Sequence, residues 1–168
     1  MSYMFSHCES LVGIDFENFK TNNVRNMSHM FSECISLSSI SLSNFDTGKV
    51  EDMSFIFDSC SNLRELDISN FNTENVKYMQ GMFRYLSGLK QIDLKGINTK
   101  NVLNFSQMFQ NCFSIYSLDL SLFVTDNAED MSLMFEYCSE LTELKINKFN
   151  TAKVKNFTKM FYNCNYLK

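Results

Sequence analysis

Residues 27–52 read MSHMFSECISLSSISLSNFDTGKVED, and variants of this 26-residue stretch follow one another along the whole chain. The first position of the stretch is apolar in every copy: Met1, Met27, Met53, Met79, Phe105, Met131 and Phe157. Because 168 residues are 6 × 26 + 12, residues 1–168 hold six complete units and half of a seventh. The repeat predicts a single solenoid domain that is a segment of a longer repeat protein, since neither end looks like a natural cap.

Two further positions of the unit are filled by the same residue type in successive copies. Phenylalanine stands at Phe5, Phe31, Phe57, Phe83, Phe109, Phe135 and Phe161. Threonine stands at Thr21, Thr47, Thr73, Thr99, Thr125 and Thr151. We expect both series to form structural ladders that run from unit to unit.

The first half of each unit has the apolar spacing of a helix. Apolar residues fall at offsets 0, 3, 6, 7 and 10 in the second unit: Val24, Met27, Met30, Phe31 and Cys34. This spacing follows one face of a helix of about 3.6 residues per turn. Thr21 precedes the stripe by three residues, where its hydroxyl would cap the first turn. The first half is therefore predicted to be helical, with threonine as the cap.

The second half of the unit has the alternation of a short strand. Ile40 and Leu42 alternate with serines over residues 39–43, as in a strand with one buried face. Neither half can bury its apolar side alone, so the units must stack. The sequence thus predicts an α/β fold, a leucine-rich-repeat-like solenoid of 26-residue strand-helix units. Its parallel sheet would form the concave face and its helices the convex face.

The strand halves carry a resemblance to known repeats. LRELDI (63–68) and LKQIDL (89–94) resemble the LxxLxL core of leucine-rich repeats. The stretch at 27–47 and its copies resemble the BspA-like leucine-rich repeat surface proteins, including repeats of the mycoplasma lipoprotein-associated type. That resemblance implies a location at the cell surface or outside the cell, and adhesion to host proteins or to other cells. The chain departs from ordinary repeats at Phe45 and Phe71, which predict a phenylalanine spine where an asparagine ladder usually runs.

Composition excludes several classes of protein. With 45% apolar residues and a net charge of −4, the chain is neither disordered nor a basic nucleic-acid platform. No run of 18 apolar residues is present, so we expect no membrane insertion by this segment. We expect a monomer, or weak association through the uncapped ends of the repeat array.

All six cysteines occupy one position of the unit: Cys8, Cys34, Cys60, Cys112, Cys138 and Cys164. The remaining copy of that position is Leu86, and leucine can replace a packed thiol but not a disulfide partner or a metal ligand. Buried free thiols are therefore expected. No CxxC or CxxxC spacing occurs, so neither a metal site nor a cofactor is predicted.

One exposed strand position is rich in acid: Asp15, Ser41, Asp67, Asp93, Asp119 and Lys145. Stacking would bring the carboxylates of successive units to about 4.8 Å apart, where like charges repel. Either solvent and the neighbouring Arg64, Lys90 and Lys95 relieve this repulsion, or a cation or a basic partner does. Asp15, Asp67, Asp93 and Asp119 are accordingly candidate binding residues.

The fourth and fifth units carry apolar residues where most other units are polar: Leu103, Phe113, Tyr116, Leu122, Val124 and Leu133. Exposed apolar clusters often mark partner surfaces. Local variation of the core, or contact with flanking units, is the other explanation. Phe113, Tyr116 and Leu122 are the candidate partner contacts.

The sequence contains no catalytic constellation. It offers no glycine-rich phosphate loop, no paired catalytic carboxylates and no nucleophile beside a base, so we expect no enzyme. The expected function is protein binding, as an adhesion or host-interaction module that uses the concave strand face. The alternative is a structural stalk or spacer without a specific ligand. A weaker third hypothesis is a module that needs a divalent ion bound to the acidic row, the aspartates Asp15, Asp67, Asp93 and Asp119.

Overall fold

The computed structural model describes residues 1–168 and contains no helix. Only two short strands form, β1 (Ser117–Asp119) and β2 (Glu143–Lys145), and they pair in parallel with Ser117 opposite Glu143. Isolated parallel bridges also link successive units at one recurring position: Asn26, Asp52, Tyr78, Asn104, Asp130 and Asn156. The prediction of an α/β solenoid of strand-helix units, with a sheet on one face and helices on the other, is therefore wrong. With no helix present, none is available to cross a membrane.

The half of the unit predicted to be helical is a run of turns. Alternate residues donate their N–H groups to the carbonyl 25 residues ahead, in the next unit: Met27, His29, Phe31 and Glu33. The residues between them donate to the carbonyl three residues back: Met30, Ser32 and Cys34. A helix would instead direct each N–H to the carbonyl four residues back within the same segment. Alternate N–H groups therefore join one unit to the next, where a helix would use all of them within one segment.

Two residues of each turn run adopt the left-handed region of backbone space. In the second unit these are His29, with φ of 55°, and Glu33, with φ of 61°. The same two positions have positive φ in every copy, and only Gly81 among them is a glycine. A left-handed residue reverses the local path of the chain, and side chains other than glycine adopt this region at a cost. The repeated reversal at these two positions interrupts the helix that the apolar spacing suggested.

The side chains of the apolar stripe are nevertheless the core. Met27, Met30, Phe31 and Cys34 are fully buried. The phenylalanine ladder forms a column of near-parallel rings with centroids 5.4–6.5 Å apart from one unit to the next. A second buried row holds the phenylalanines that follow the strand half: Phe45, Phe71 and Phe123. The core therefore continues from unit to unit without a break.

The threonine ladder joins the units and does not cap helices. The Oγ1 atom of Thr21 accepts the N–H of Asp46 at 2.8 Å and donates to the carbonyl of the same residue at 3.0 Å. The equivalent pair of bonds recurs at Thr47, Thr73, Thr99 and Thr125, each to the residue 25 positions ahead. Thr151 is exposed. The helix-cap interpretation is wrong because each hydroxyl replaces a backbone bond between units.

The alternation over residues 39–43 reflects burial without a strand. Leu42 is buried and Ile40 is half-buried, whereas Ser39 and Ser41 are exposed. No backbone bond joins this stretch to a neighbouring unit, so the predicted strand is absent in the second unit. Backbone bonds between units are concentrated in the turn runs. In the other half they are few, as from Ser36 to Glu9 and from Ser38 to Val12, and only β1 and β2 form a paired ladder.

All six cysteines are free thiols in the structure, and four of them are buried. The prediction of burial is wrong for Cys8, which is exposed, and for Cys164, which is half-buried. The Sγ atom of Cys34 donates to the carbonyl oxygen of Phe5 at 3.1 Å, and Cys112 donates to Phe83 in the same way at 3.0 Å. Burial raises the pKa of the Cys34 thiol to about 11 and that of Cys112 to about 12. The buried thiols are therefore protonated donors to the preceding unit and poor nucleophiles.

Candidate functional site

An open groove of about 1000 Å³ crosses the strand halves of the third, fourth and fifth units and reaches Lys145 of the sixth. Its charged and aromatic lining consists of Arg64, Glu65, Asp67, Lys90, Asp93, Lys95, Tyr116, Asp119 and Lys145. The groove brings together three of the four aspartates singled out by the sequence, together with Tyr116. Asp15, Phe113 and Leu122 lie outside it.

The recurring aspartates have a structural role that the sequence analysis missed. One carboxylate oxygen of each accepts the N–H of the residue two positions ahead, at 2.8–3.0 Å, and so closes a turn: Asp15, Asp67, Asp93 and Asp119. Aspartate commonly fixes turns through this bond. An Asp-x-Ser sequence at the end of the strand half, as at Asp67 and Asp119, is the signal that could have indicated it.

Hydrogen bonds and lysines stabilise the charged form of the groove aspartates. Lys145 Nζ lies 3.0 Å from Asp119 Oδ2, and Lys95 Nζ lies 3.7 Å from Asp93 Oδ2. Bonds from Ser121 and from Lys145 lower the pKa of Asp119, and the backbone and side chain of Ser69 lower the pKa of Asp67. The acidic row is therefore largely compensated within the chain.

Arg64 and Lys90 differ from Lys95 and Lys145 because neither forms an ion pair with a carboxylate. The two residues occupy the same repeat position in adjacent units. The Arg64 side chain passes over Gly88, where an added Cβ would lie 3.5 Å from Arg64 Cδ and 2.7 Å from the Ser61 carbonyl oxygen. The groove thus presents two neighbouring uncompensated bases. We call Arg64 and Lys90 the basic pair.

Charged positions elsewhere on the surface form ion pairs from unit to unit. Glu51 bonds Arg25 of the preceding unit at 3.0 Å and Lys77 of the following unit at 2.8 Å. Lys155 bonds Glu129 at 2.7 Å in the same row. Opposite charges therefore stand in adjacent units at this position, which contrasts with the basic pair.

The apolar candidates do not form one patch with the groove. Tyr116 lines the groove, and its hydroxyl donates to Gln91 Oε1 at 3.2 Å. Leu122 and Val124 line a separate cavity of about 240 Å³ beside Lys148. Phe113 is exposed and lines neither of these cavities, whereas Leu103 and Leu133 are half-buried.

An ion pair in the turn runs is the most buried one in the chain. Arg84 donates to both carboxylate oxygens of Asp58, at 2.8 and 2.9 Å, and the Asp58 side chain is only 4% exposed. The guanidinium also lies 5.2 Å from the centre of the Phe55 ring and 5.3 Å from that of Tyr85. This contact joins the third unit to the fourth.

His29 is part of a stack of rings on the turn runs. Its ring lies between those of Tyr3, at 4.5 Å, and Phe55, at 4.8 Å. Partial burial lowers the pKa of His29. No group of three or more histidine, cysteine, aspartate or glutamate residues is arranged to hold a metal ion.

Stacked copies of one 26-residue unit, with LxxLxL segments on one side, define the class of leucine-rich-repeat-like proteins. The crystal structure of a T. pallidum Leucine Rich Repeat protein (TpLRR) is similar to this fold, with a TM-score of 0.62. The two sequences are 20% identical, and the similarity covers 99% of this chain and 70% of that one. This likeness supports the class at the level of fold.

The chain belongs to the family described as "Mycoplasma protein of unknown function, DUF285", whose model matches residues 1–117 and 89–168. No curated protein matches the chain. The predicted resemblance to leucine-rich repeats and to mycoplasma repeats is confirmed at this level. Its narrower assignment to the BspA-like surface proteins stays a prediction.

Proposed function

We propose that the chain is a non-enzymatic protein-binding module of a microbial cell-surface or secreted protein, which acts in adhesion or host interaction through the groove. The observation that carries the proposal is the groove itself. It is an open concavity of about 1000 Å³. Two rows of its lining change from unit to unit, Arg64–Lys90–Tyr116 and Glu65–Gln91–Ser117, while the phenylalanine ladder of the core stays constant. In repeat proteins, variable exposed positions on an invariant stack are the usual place for partner recognition.

Two further observations support this proposal. Burial in the core accounts for Cys34, Cys60, Cys112 and Cys138, and closure of turns accounts for the aspartates of the groove. Membership of a mycoplasma family and a fold shared with a leucine-rich repeat protein agree with a repeat module that binds other proteins. The competing function is a stalk or spacer, in which only the number of units matters.

Deleting one whole unit distinguishes a binding module from a spacer. Removal of residues 85–110 keeps the 26-residue register, removes Lys90 and Asp93 from the groove, and retains the ion pair between Asp58 and Arg84. Removal of residues 21–46 is the matched control, because it also deletes one unit and leaves the groove lining intact.

The assay counts beads coated with each purified variant that stay attached to cultured epithelial cells after washing. Thermal melts first establish that both deletion variants fold. We expect the intact chain and the variant lacking 21–46 to attach, and the variant lacking 85–110 to lose attachment to the level of bare beads. Equal attachment by both deletion variants, or no attachment by the intact chain, would contradict the proposal.

A further inference from the structure

The charges of the groove are compensated unequally. Each groove aspartate accepts a backbone N–H, and Asp93 and Asp119 also have a lysine within 4.0 Å. The basic pair has no carboxylate within that distance. Glu65 and Asp67 are the groove acids without a counterion, and the residues equivalent to Glu65 in the next two units are the neutral Gln91 and Ser117. The groove therefore has one row in which two adjacent cations lack anions.

We propose that the basic pair binds the carboxylate side chains of an acidic polypeptide segment that lies in the groove. This inference rests on the proposed function and names the chemistry of its partner. The Arg64 side chain reaches within 3.5 Å of the Cβ position of Gly88, two residues before Lys90, and both bases line the same groove, so one carboxylate, or two neighbouring ones, can contact them together. An arginine guanidinium offers parallel N–H donors that match a carboxylate, and lysine adds a compact charge beside it.

The acidic row favours a polypeptide over a dense polyanion. Asp67 and Asp93 follow the basic pair by three residues, which is about 10 Å along an extended chain. A polyanion such as heparin would place negative groups against these aspartates, whereas a polypeptide can place its acids on the basic side alone. Tyr116 continues the row of the basic pair in the fifth unit and is 48% exposed, which supplies an aromatic surface for the same segment.

The test is an NMR titration of the 15N-labelled full chain at low ionic strength. The probes are the capped peptides acetyl-GEGEG-amide and acetyl-GKGKG-amide, and a heparin hexasaccharide. The double variant Arg64→Ser and Lys90→Ser removes the basic pair with a residue that the chain itself carries at the equivalent Ser38. The matched control is Lys95→Ser, which removes one positive charge from the same groove, and Ser69 and Ser121 are its precedents.

We expect the glutamate peptide to shift the amide signals of groove residues, and the lysine peptide to leave them unchanged. The double variant is expected to weaken binding of the glutamate peptide by about tenfold or more, and Lys95→Ser by less than about threefold. Absence of binding by the glutamate peptide, equal binding by the lysine peptide, or an unchanged affinity in the double variant would overturn the inference. Binding of heparin alone, lost in the double variant, would overturn it in favour of a polyanion.

The bead assay separates this inference from the proposed function. If beads coated with the double variant attach as well as the intact chain while the variant lacking 85–110 does not attach, the groove binds a partner by other residues. The proposed function would then stand, and the assignment of the basic pair would fail.

Discussion

Replacing Arg84 with glutamine is expected to destabilise the chain strongly, because it leaves the buried carboxylate of Asp58 without a counterion. The Asp58 side chain is 4% exposed and both its oxygens accept from Arg84, at 2.8 and 2.9 Å. Breaking a buried pair by removing one partner costs about 3–5 kcal/mol. The Arg84 side chain is 28% exposed, so water partly screens the pair and we expect a cost of about 3 kcal/mol.

The chain supplies its own compensating residues at this position. Ser32 and Gln110 stand in the equivalent place in neighbouring units, so a double variant with Asp58→Ser and Arg84→Gln removes both charges with residues that the stack already accepts. Besides the ion pair, it loses the contacts of the guanidinium with Phe55 and Tyr85, worth about 0.5–1 kcal/mol each, and the hydrogen bond that Ser59 Oγ donates to Asp58 Oδ1 at 3.2 Å. The double variant should therefore be more stable than Arg84→Gln alone.

Urea unfolding and thermal melts measure both effects. In a chain of 168 residues about 1 kcal/mol changes the Tm by roughly 2–4 °C, so Arg84→Gln should lower the Tm by about 6–12 °C. Lys77→Leu is the control, because it breaks an exposed pair with Glu51, follows the precedent of Leu103, and should cost less than about 1 kcal/mol. The reasoning is refuted if Arg84→Gln has the same Tm as Lys77→Leu, or if the double variant is less stable than Arg84→Gln alone.

Three other changes test separate parts of the stack. Thr73→Val should cost about 2–4 kcal/mol in urea unfolding, because it leaves the N–H and carbonyl of Asn98 without their partners, whereas Thr73→Ser should recover most of the loss. Gln107→Gly should raise the free energy of unfolding by up to about 1 kcal/mol, because Gln107 has a φ of 60° and glycine adopts the left-handed region freely. A lower Tm for this variant would argue against a left-handed residue at position 107. In the native protein near neutral pH, Ellman's reagent should label the exposed Cys8 but not Cys112, because burial raises the pKa of the Cys112 thiol to about 12. Both thiols should react in denaturant. Rapid labelling of Cys112 in the native protein would contradict its burial.

Sequence spacing predicted the core of this fold better than its backbone. The stripe of Met27, Met30, Phe31 and Cys34 is fully buried, as the period required. Yet turns that return to the carbonyl three residues back bury side chains at nearly the same spacing as a helix. Periodicity alone cannot separate these structures, and the left-handed positions gave no warning because only Gly81 among them is a glycine.

A turn signal was nevertheless present in the sequence. Asn26 accepts the N–H of Ser28 at 2.8 Å, and the equivalent bond forms at Asn104 and Asn156. An asparagine or aspartate whose side chain accepts the backbone N–H two residues ahead either closes a turn or caps the first turn of a helix. The Asn-x-Ser/Thr pattern therefore marks where each turn run begins, but it could not separate a turn run from a helix.

The groove was predictable only in part. Alternation correctly placed Asp67, Asp93 and Asp119 on one exposed surface. It could not show that their carboxylates close turns, nor that Lys95 and Lys145 reach them while Arg64 and Lys90 do not. These outcomes depend on side-chain conformations and on the spacing between units, which a linear sequence does not contain.

Scalar couplings across hydrogen bonds in the 15N,13C-labelled chain test most directly whether the units are joined by their turn runs. The structure predicts a coupling between the amide nitrogen of Phe31 and the carbonyl carbon of Ile56, 25 residues ahead in the next unit. A coupling from Phe31 to the carbonyl carbon of Met27, four residues back, would show a helix at this place and would contradict the account.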